Sequence, residues 1–229
     1  MPSAAAFDSI GIGLPPEWAT LPIEQRDFDR LCADVRQRWR QEPGWDRTTE
    51  RRAELLLARV RAEVRRANIR MAAMYMEPGG GDANDTLMAA CTFATYTQRE
   101  LDTTLPLTYS NLLAAYSVRP KATSEESHDV RRITNLEPPC RHQLRVGRSI
   151  RLRRLYELRQ PVEGTQRLFG ESFVMPIGDD ATTCGALQFV TPNLTLATGF
   201  SALFVAIAET VMLYTPDQET EIATIRPDV

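Results

Sequence analysis

The sequence predicts an α+β fold in which an antiparallel β-sheet is covered by an N-terminal helical hairpin and a C-terminal helix, as an α/β/α sandwich. Three observations support this prediction. Apolar residues recur every three or four positions near both ends of the chain, which is the spacing of a helical face. The middle of the chain holds short apolar runs separated by turn residues. No long linker divides the chain, so we expect a single domain over residues 1–229.

The N-terminal part is predicted to contain an extended arm and two helices. Residues 1–23 include four prolines and two glycines, which favour an extended arm. A helical hairpin is predicted over residues 24–70, because Pro43 and Gly44 end the first helix and Asp46 is a suitable N-cap for the second. Two helices joined by so short a loop pack antiparallel.

The sheet is predicted over residues 71–191. It begins with the strands MAAMYM and TLMAACTFATYT around a polar, glycine-rich turn. A short helix candidate follows at 105–118. Five further strand-like runs, separated by proline and glycine turns, indicate an antiparallel meander. Residues 197–213 are predicted to form the closing helix, since Phe200, Phe204 and Ile207 lie on one helical stripe.

The C-terminal sequence SFVMPIGDDATTCGALQFVTPNLTLATGFSALFVAIAETVML resembles the closing hairpin and helix of PsbP-like and LpqN-like small proteins. The segment LPPEWATLP is similar to the entry segment of bacterial members with this layout. The resemblance covers the last third of the chain and, more loosely, the first twenty residues. It implies an α/β/α sandwich and a role as an accessory, assembly or binding protein without a catalytic centre.

Charge and cysteine usage narrow the class of protein. The net charge of −3 provides no general attraction to nucleic acid. The first residues lack a basic region followed by an apolar core, and the longest apolar run is too short to span a bilayer. We therefore expect a soluble, cytoplasmic protein. The cysteines Cys32, Cys91, Cys140 and Cys184 form no CxxC pair, which predicts free thiols rather than a zinc site or a disulfide framework.

No motif in the sequence specifies a reaction. The spacing of Cys140 and His142 allows a thiolate–imidazole pair on one side of a strand, whereas His128 lies in a predicted loop. The pair Asp179-Asp180 is best explained as part of a hairpin turn. The glycine-rich segments match no phosphate-binding motif, and no serine lies in a nucleophile motif. We therefore predict no catalytic residue, no metal site and no cofactor.

The distribution of charge along the chain is the most informative feature. Residues 131–159 hold nine arginines and two glutamates, a net charge of +7, whereas residues 160–229 hold two arginines and nine acids, a net charge of −7. In the run SIRLRRLYE, Ile150 and Leu152 alternate with Arg151 and Arg153. The alternation breaks at Arg154, which indicates a bulge or a change of register.

Two interpretations of these arginines are open. In the first, they pair across the sheet with acidic neighbours such as Glu171. In the second, Arg148, Arg151 and Arg153 bind an acidic protein partner or another anion, because guanidinium groups bind carboxylates through two parallel hydrogen bonds. A nucleic-acid partner is a third interpretation. The net negative charge and the scarcity of aromatic residues in this region argue against it.

We predict a non-enzymatic accessory or adaptor protein that acts through protein–protein contacts in a larger bacterial assembly, such as a secretion apparatus. This prediction of function rests on the resemblance. The alternative is a small-molecule-binding or enzymatic α+β domain with its site between the helical hairpin and the sheet. A cleft lined by polar groups and strongly perturbed titratable residues would favour the alternative, whereas a flat apolar or arginine-rimmed patch would favour the adaptor.

Overall fold

A computed structural model of the chain describes residues 9–39, 47–64, 69–77, 86–117, 130–160 and 164–214. Four α-helices, a large sheet and a small two-stranded sheet occur within these residues. The helices are α1 (Gln25–Trp39), α2 (Arg47–Val64), α3 (Tyr109–Ser117) and α4 (Ala197–Ala208). The strands are β1 (Ser9–Gly11), β2 (Trp18–Leu21), β3 (Ile69–Glu77), β4 (Leu87–Thr97), β5 (Val130–Asn135), β6 (Cys140–Leu144), β7 (Gly147–Gln160), β8 (Gly164–Ile177), β9 (Thr183–Thr191) and β10 (Met212–Tyr214). The predicted α+β class with a large antiparallel sheet is confirmed.

The large sheet has the strand order β2-β3-β4-β9-β8-β7-β5, and all its neighbouring strands are antiparallel. Strands β7, β8 and β9 are consecutive both in the chain and in the sheet, as the predicted meander requires. The edge of β7 that faces away from β8 pairs with β5 at one end and with β6 at the other. Pro138 and Pro139 lie in the connection between β5 and β6. No backbone N–H has to donate to the sheet at these positions, so residues that lack one are tolerated there.

Side chains along β7 alternate between the two faces of the sheet. Face A carries Ile150, Leu152 and Tyr156, and face B carries Arg151 and Arg153. The predicted alternation of apolar residues and arginines is therefore confirmed. Residues that pair across neighbouring strands point to the same face, so the pairings of β7 with β8, β8 with β9 and β9 with β4 assign the residues of all four strands to face A or face B.

Face A carries two separate apolar clusters. In one cluster, Phe28 of α1 and Leu56 of α2, both without exposed surface, pack with residues of β3, β4 and the distal part of β7. In the other, Leu112 of α3 packs with Ile150 and Val174. The two clusters occupy different parts of face A, and a strip of the sheet lies between them.

Face B packs against α4 through aromatic rings. Phe204 has no exposed surface, and its ring stacks on that of Phe189 with centroids 4.6 Å apart. The ring of Phe169 lies parallel to that of Phe204 at a centroid distance of 6.4 Å. This arrangement follows from the helical stripe in the sequence, which places Phe200 and Phe204 on the same side of α4.

Several boundaries differ from the predicted ones. The closing helix ends at Ala208 rather than at 213, because the Thr210 hydroxyl donates to the Ile207 carbonyl and accepts from the Gly13 amide at 2.8 Å. Residues Met212–Tyr214 instead pair with β1, which belongs to the predicted extended arm. The described part of α2 ends at Val64, and Ile69 already pairs with β4, so the helical hairpin predicted over 24–70 extends too far at its C-terminal end. None of the described helices has the length and apolar character needed to cross a membrane.

Candidate ligand-binding cleft

A row of polar residues crosses face A between its two apolar clusters. Thr92, Gln188 and Ser172 lie directly opposite one another on β4, β9 and β8. Their neighbours on the same face, Ala186 and Val190, are apolar and buried. A sheet face that packs against helices is normally apolar throughout, so this polar row is an exception within the core.

The side chains of Thr92, Gln188 and Ser172 form no hydrogen bond with any residue that the structure describes. Thr92 and Ser172 are nevertheless buried as residues, with exposed fractions of 5% and 6%. Their polar atoms keep some accessible surface, because none of them is among the fully enclosed, unpartnered atoms. Native proteins leave few buried polar groups without a partner, and each such group requires an explanation.

A cleft with a volume of about 180 Å³ lies over Ser172 and Gln188, two of the three members of this row. Ser172, Gln188 and Leu152 belong to its floor on the sheet, and Arg59 of α2 and Tyr116 of α3 belong to its walls. A smaller hollow of about 10 Å³ shares Arg59 and Gln188 with the cleft and is also lined by Thr92. The main cleft is smaller than the roughly 300–1,000 Å³ of sites for drug-sized ligands, so it suits a small molecule.

Two arginines line the cleft, and each guanidinium lies over a tyrosine ring. The Cζ of Arg59 is 5.1 Å from the ring centroid of Tyr156, and the Cζ of Arg154 is 5.6 Å from that of Tyr116. These cation–π contacts hold the guanidinium groups in place. The Nε of Arg154 also donates to Asn135 Oδ1 at 3.2 Å.

Arg154 continues the regular alternation of β7, and the predicted bulge at this residue is wrong. The pairing of β7 with β8 runs from Ile150 to Gln160 without a shift. Arg154 therefore lies on face A, where Gly170 is its partner on β8. A Cβ atom at Gly170 would overlap the ring of Tyr156, so a glycine is required here for that ring to pack against the sheet. Arg154 was not predicted as a site residue, because a polar residue at an apolar position of a strand pattern suggests a structural irregularity.

The predicted site residues Arg148, Arg151 and Arg153 are not brought together. Arg151 lies on face B beneath α4 and forms an ion pair with Glu171, which has no exposed surface. Arg153 pairs with Glu137 at 3.3 Å, and its guanidinium lies over the ring of Phe169. The cross-strand pairing with Glu171 that the first interpretation predicts is thus observed.

Arg148 is exposed and lies on the β6–β7 hairpin, on face A. Arg141 lies on the same face of this hairpin, and Arg145 occupies its turn. All three are exposed, and within the described ranges none of them forms an ion pair. Arg141 contacts the ring of Tyr109 at 5.7 Å. We call these three residues the hairpin arginines.

The four cysteines are free, as predicted. Burial raises the pKa of Cys184 to about 12 and also raises the pKa of Cys140. Cys140 and His142 share face B, but no hydrogen bond joins them, and the His142 ring packs against Phe173 at 5.3 Å. A thiol with a raised pKa is a poor nucleophile, so this pair does not form an activated thiolate.

The other titratable candidates contribute no site. Asp179-Asp180 lies in an exposed turn, and hydrogen bonds from Thr182 hold the pKa of Asp180 below its usual value. His128 lies outside the described residues. Among the residues that the structure does describe, no three His, Cys, Asp or Glu side chains are grouped so that they could hold a metal ion.

Comparisons with protein-family models, with curated proteins and with solved structures found no match to this chain. The geometry of the cleft and of the hairpin arginines is therefore the basis for the functional argument.

Proposed function

We propose that this protein binds a small polar molecule in the cleft on face A, between the sheet and helices α2 and α3. In this proposal the α1–α2 hairpin covers one end of face A, as in the predicted sandwich. The observation that carries the proposal is the row Thr92, Gln188 and Ser172, whose side chains form no hydrogen bond with a described residue. A bound molecule would supply the missing hydrogen bonds.

The position of the row supports a binding role. Its polar atoms keep accessible surface within an otherwise apolar face, whereas a sheet face with a purely structural role would carry apolar residues at these positions. Adjacent strands are about 4.8 Å apart, so the three side chains span about 10 Å. Ser172 and Gln188 offer a hydroxyl and an amide to a molecule in the cleft, and Thr92 adds a second hydroxyl in the adjoining hollow. Carboxylate and imidazole groups are the usual acid–base catalysts, and none from the described part of the chain lines the cleft. We therefore propose that the cleft binds a ligand, and we assign no reaction to it.

We expect the triple variant T92V/Q188M/S172A to keep its fold and to lose ligand binding. Its free energy of unfolding should be unchanged or somewhat higher, because apolar side chains of similar size replace polar ones that have no described protein partner. Urea denaturation measures the stability. Ligand-observed NMR with a library of small polar metabolites measures binding, and at least one compound that binds the wild-type protein should fail to bind the variant.

Thr20→Val is the matched control, since Thr20 is exposed on β2, away from the cleft. It should bind every compound that the wild-type protein binds. The proposal would be wrong if no compound bound the wild-type protein with a Kd below about 1 mM. It would also be wrong if the compounds bound the triple variant equally well, or if the triple variant were clearly less stable than the wild type.

A separate observation favours a second function, the predicted role as an adaptor in a bacterial assembly such as a secretion apparatus. The hairpin arginines present three positive charges on an exposed hairpin, and no ion pair with a described residue neutralises them. Such a surface suits an acidic protein partner, because exposed complementary charges accelerate association and select the partner. Here Arg148 retains its predicted role, and Arg141 and Arg145 replace Arg151 and Arg153.

We expect the variant R141Q/R145Q/R148Q to lose most of its partner capture while its stability changes by no more than about 0.5 kcal/mol per substitution. Capture from a lysate of the producing cells at low and high salt measures this effect. The capture that remains should depend less on salt, because screened charge pairs have been removed.

The matched control R26Q/R30Q/R99Q removes three exposed arginines elsewhere on the surface. It should capture partners as the wild type does. Equal losses of capture in the two variants would show that only net charge matters, and this result would rule out the hairpin as the specific surface.

A further inference from the structure

We propose that the molecule in the cleft is a short-chain carboxylic acid, and that Arg154 binds its carboxylate. This inference rests on the proposed function, since it names the chemical class of the ligand for the same cleft. It is carried by a different set of residues, namely Arg154 and the groups that hold it. The two conclusions can therefore fail separately.

Three neighbouring arginines on β7 differ in whether they have an acidic partner. Arg151 and Arg153 on face B of β7 each have a carboxylate partner, Glu171 and Glu137. Arg154 on face A is also partly buried, but its only polar partner among the described residues is the neutral Asn135. A partly buried guanidinium is costly without a counter-charge, so a negative group is expected to enter from outside.

The guanidinium of Arg154 is held in a fixed orientation. Its Nε is engaged with Asn135, and its guanidinium lies over the ring of Tyr116. Neither Nη group has a hydrogen-bond partner among the residues that the structure describes. Two adjacent Nη donors on a plane that is already held match the two oxygens of a carboxylate, and this prior ordering reduces the entropy cost of binding.

The described lining of the cleft contains basic residues and no acidic residue. Arg59 adds a second guanidinium to the lining, and no described lining residue is acidic. Attraction between opposite charges is stronger in a partly enclosed cleft than in open water, because the effective dielectric constant is lower there.

A carboxylate fits this cleft better than a phosphate does. Phosphate sites typically use several backbone N–H groups at a helix N-terminus or in a glycine-rich loop. The floor of this cleft lies in the middle of the sheet, where the backbone groups of β8 and β9 pair with neighbouring strands on both sides. The floor therefore offers side-chain groups, and a planar carboxylate matches the planar guanidinium of Arg154.

The polar row indicates what else the acid carries. Ser172 on β8 is the partner of Leu152 and lies two residues from Gly170, the partner of Arg154, so it is the member of the row nearest to Arg154. Gln188 and Thr92 follow further along the same row. An acid bound at Arg154 would therefore meet hydroxyl and amide groups along its length. A hydroxyl, keto, amide or second carboxyl group on a short chain suits these positions.

The test uses matched pairs of charged and neutral probes. Acetate, glycolate, malate and succinate are compared with acetamide, glycolamide, malamide and succinamide by isothermal titration calorimetry at low salt. We expect at least one acid to bind the wild-type protein at least about tenfold more tightly than its amide. Arg154→Gln should weaken binding of that acid by about tenfold or more and should leave binding of the amide unchanged. Arg99→Gln, which removes an exposed arginine outside the cleft, should change neither.

The possible outcomes separate this inference from the proposed function. If amides and acids bind equally, lose binding in T92V/Q188M/S172A and are insensitive to Arg154→Gln, the cleft binds polar molecules and the carboxylate assignment is wrong. If inorganic phosphate binds more tightly than every acid and depends on Arg154, the ligand is an anion of another class and the carboxylate assignment is again wrong. If none of the acids binds, the inference is overturned. If no compound of the wider metabolite library binds either, the proposed function fails with it.

Discussion

Replacing Phe204 by alanine is expected to lower the free energy of unfolding by about 3–5 kcal/mol. Phe204 has no exposed surface, and its ring contacts those of Phe189 and Phe200 at centroid distances of 4.6 and 5.6 Å. Alanine would leave a cavity between α4 and face B, and the rings of Phe169 and Phe189 on that face belong to paired strands that cannot easily close the gap. Urea denaturation followed by fluorescence or circular dichroism measures the loss.

Leu196→Ala provides the control for this experiment. Leu196 precedes α4 and is 46% exposed, so its truncation should change the stability by about 0.5 kcal/mol or less. A loss below about 1 kcal/mol for Phe204→Ala would contradict the described packing of α4 against the sheet.

Replacing Glu171 by alanine, as a separate single variant, is expected to lower the free energy of unfolding by about 3–5 kcal/mol. The Glu171 carboxylate is fully buried, binds Arg151, and accepts a hydrogen bond from the Ser201 hydroxyl at 2.6 Å. Arg151 also donates to that hydroxyl at 2.8 Å, so the three groups tie α4 to β7 and β8. Without Glu171, the guanidinium of Arg151 would lose its counter-charge beneath α4.

Two further variants make this prediction specific. Glu157→Ala removes an ion pair whose arginine, Arg167, is 56% exposed, and it should cost no more than about 1 kcal/mol. The double variant R151M/E171L should recover much of the stability lost in Glu171→Ala, because it removes both charges from the interior. A loss in Glu171→Ala no larger than in Glu157→Ala would show that the buried pair does not stabilise the fold. All stabilities are compared by urea denaturation.

Local patterns in the sequence were sufficient to predict most elements of the fold. The stripe through Phe200, Phe204 and Ile207 identified α4, and the alternation of Ile150 and Leu152 with arginines identified β7 and its two faces. These patterns are local because the periods of a helix and a strand, 3.6 and 2 residues, repeat within a few positions. The ends of α2 and α4 were predicted less well. They depend on contacts with distant residues, such as the Thr210 contact with Gly13.

The cleft was harder to predict, although a signal existed. Thr92, Gln188 and Ser172 are each a polar residue inside an apolar strand, as in ACTFA, ALQFV and GESFV. Each is unremarkable on its own, because isolated polar residues are common on the exposed faces of strands. They form a row only because β4, β9 and β8 are neighbours in one register, and the sequence contains no local pattern that specifies that order.

The sequence by itself determined the fold class, the spacing of the charges and the two faces of the arginine-rich strand, because all of these depend on the order of neighbouring residues. Only the tertiary structure decided which arginines are neutralised. Arg151 and Arg153 meet Glu171 and Glu137 on face B, whereas Arg154, one residue further along, meets a polar cleft on face A. The physical reason is that a carboxylate partner depends on strand order and helix packing, which bring together groups that are far apart in the chain.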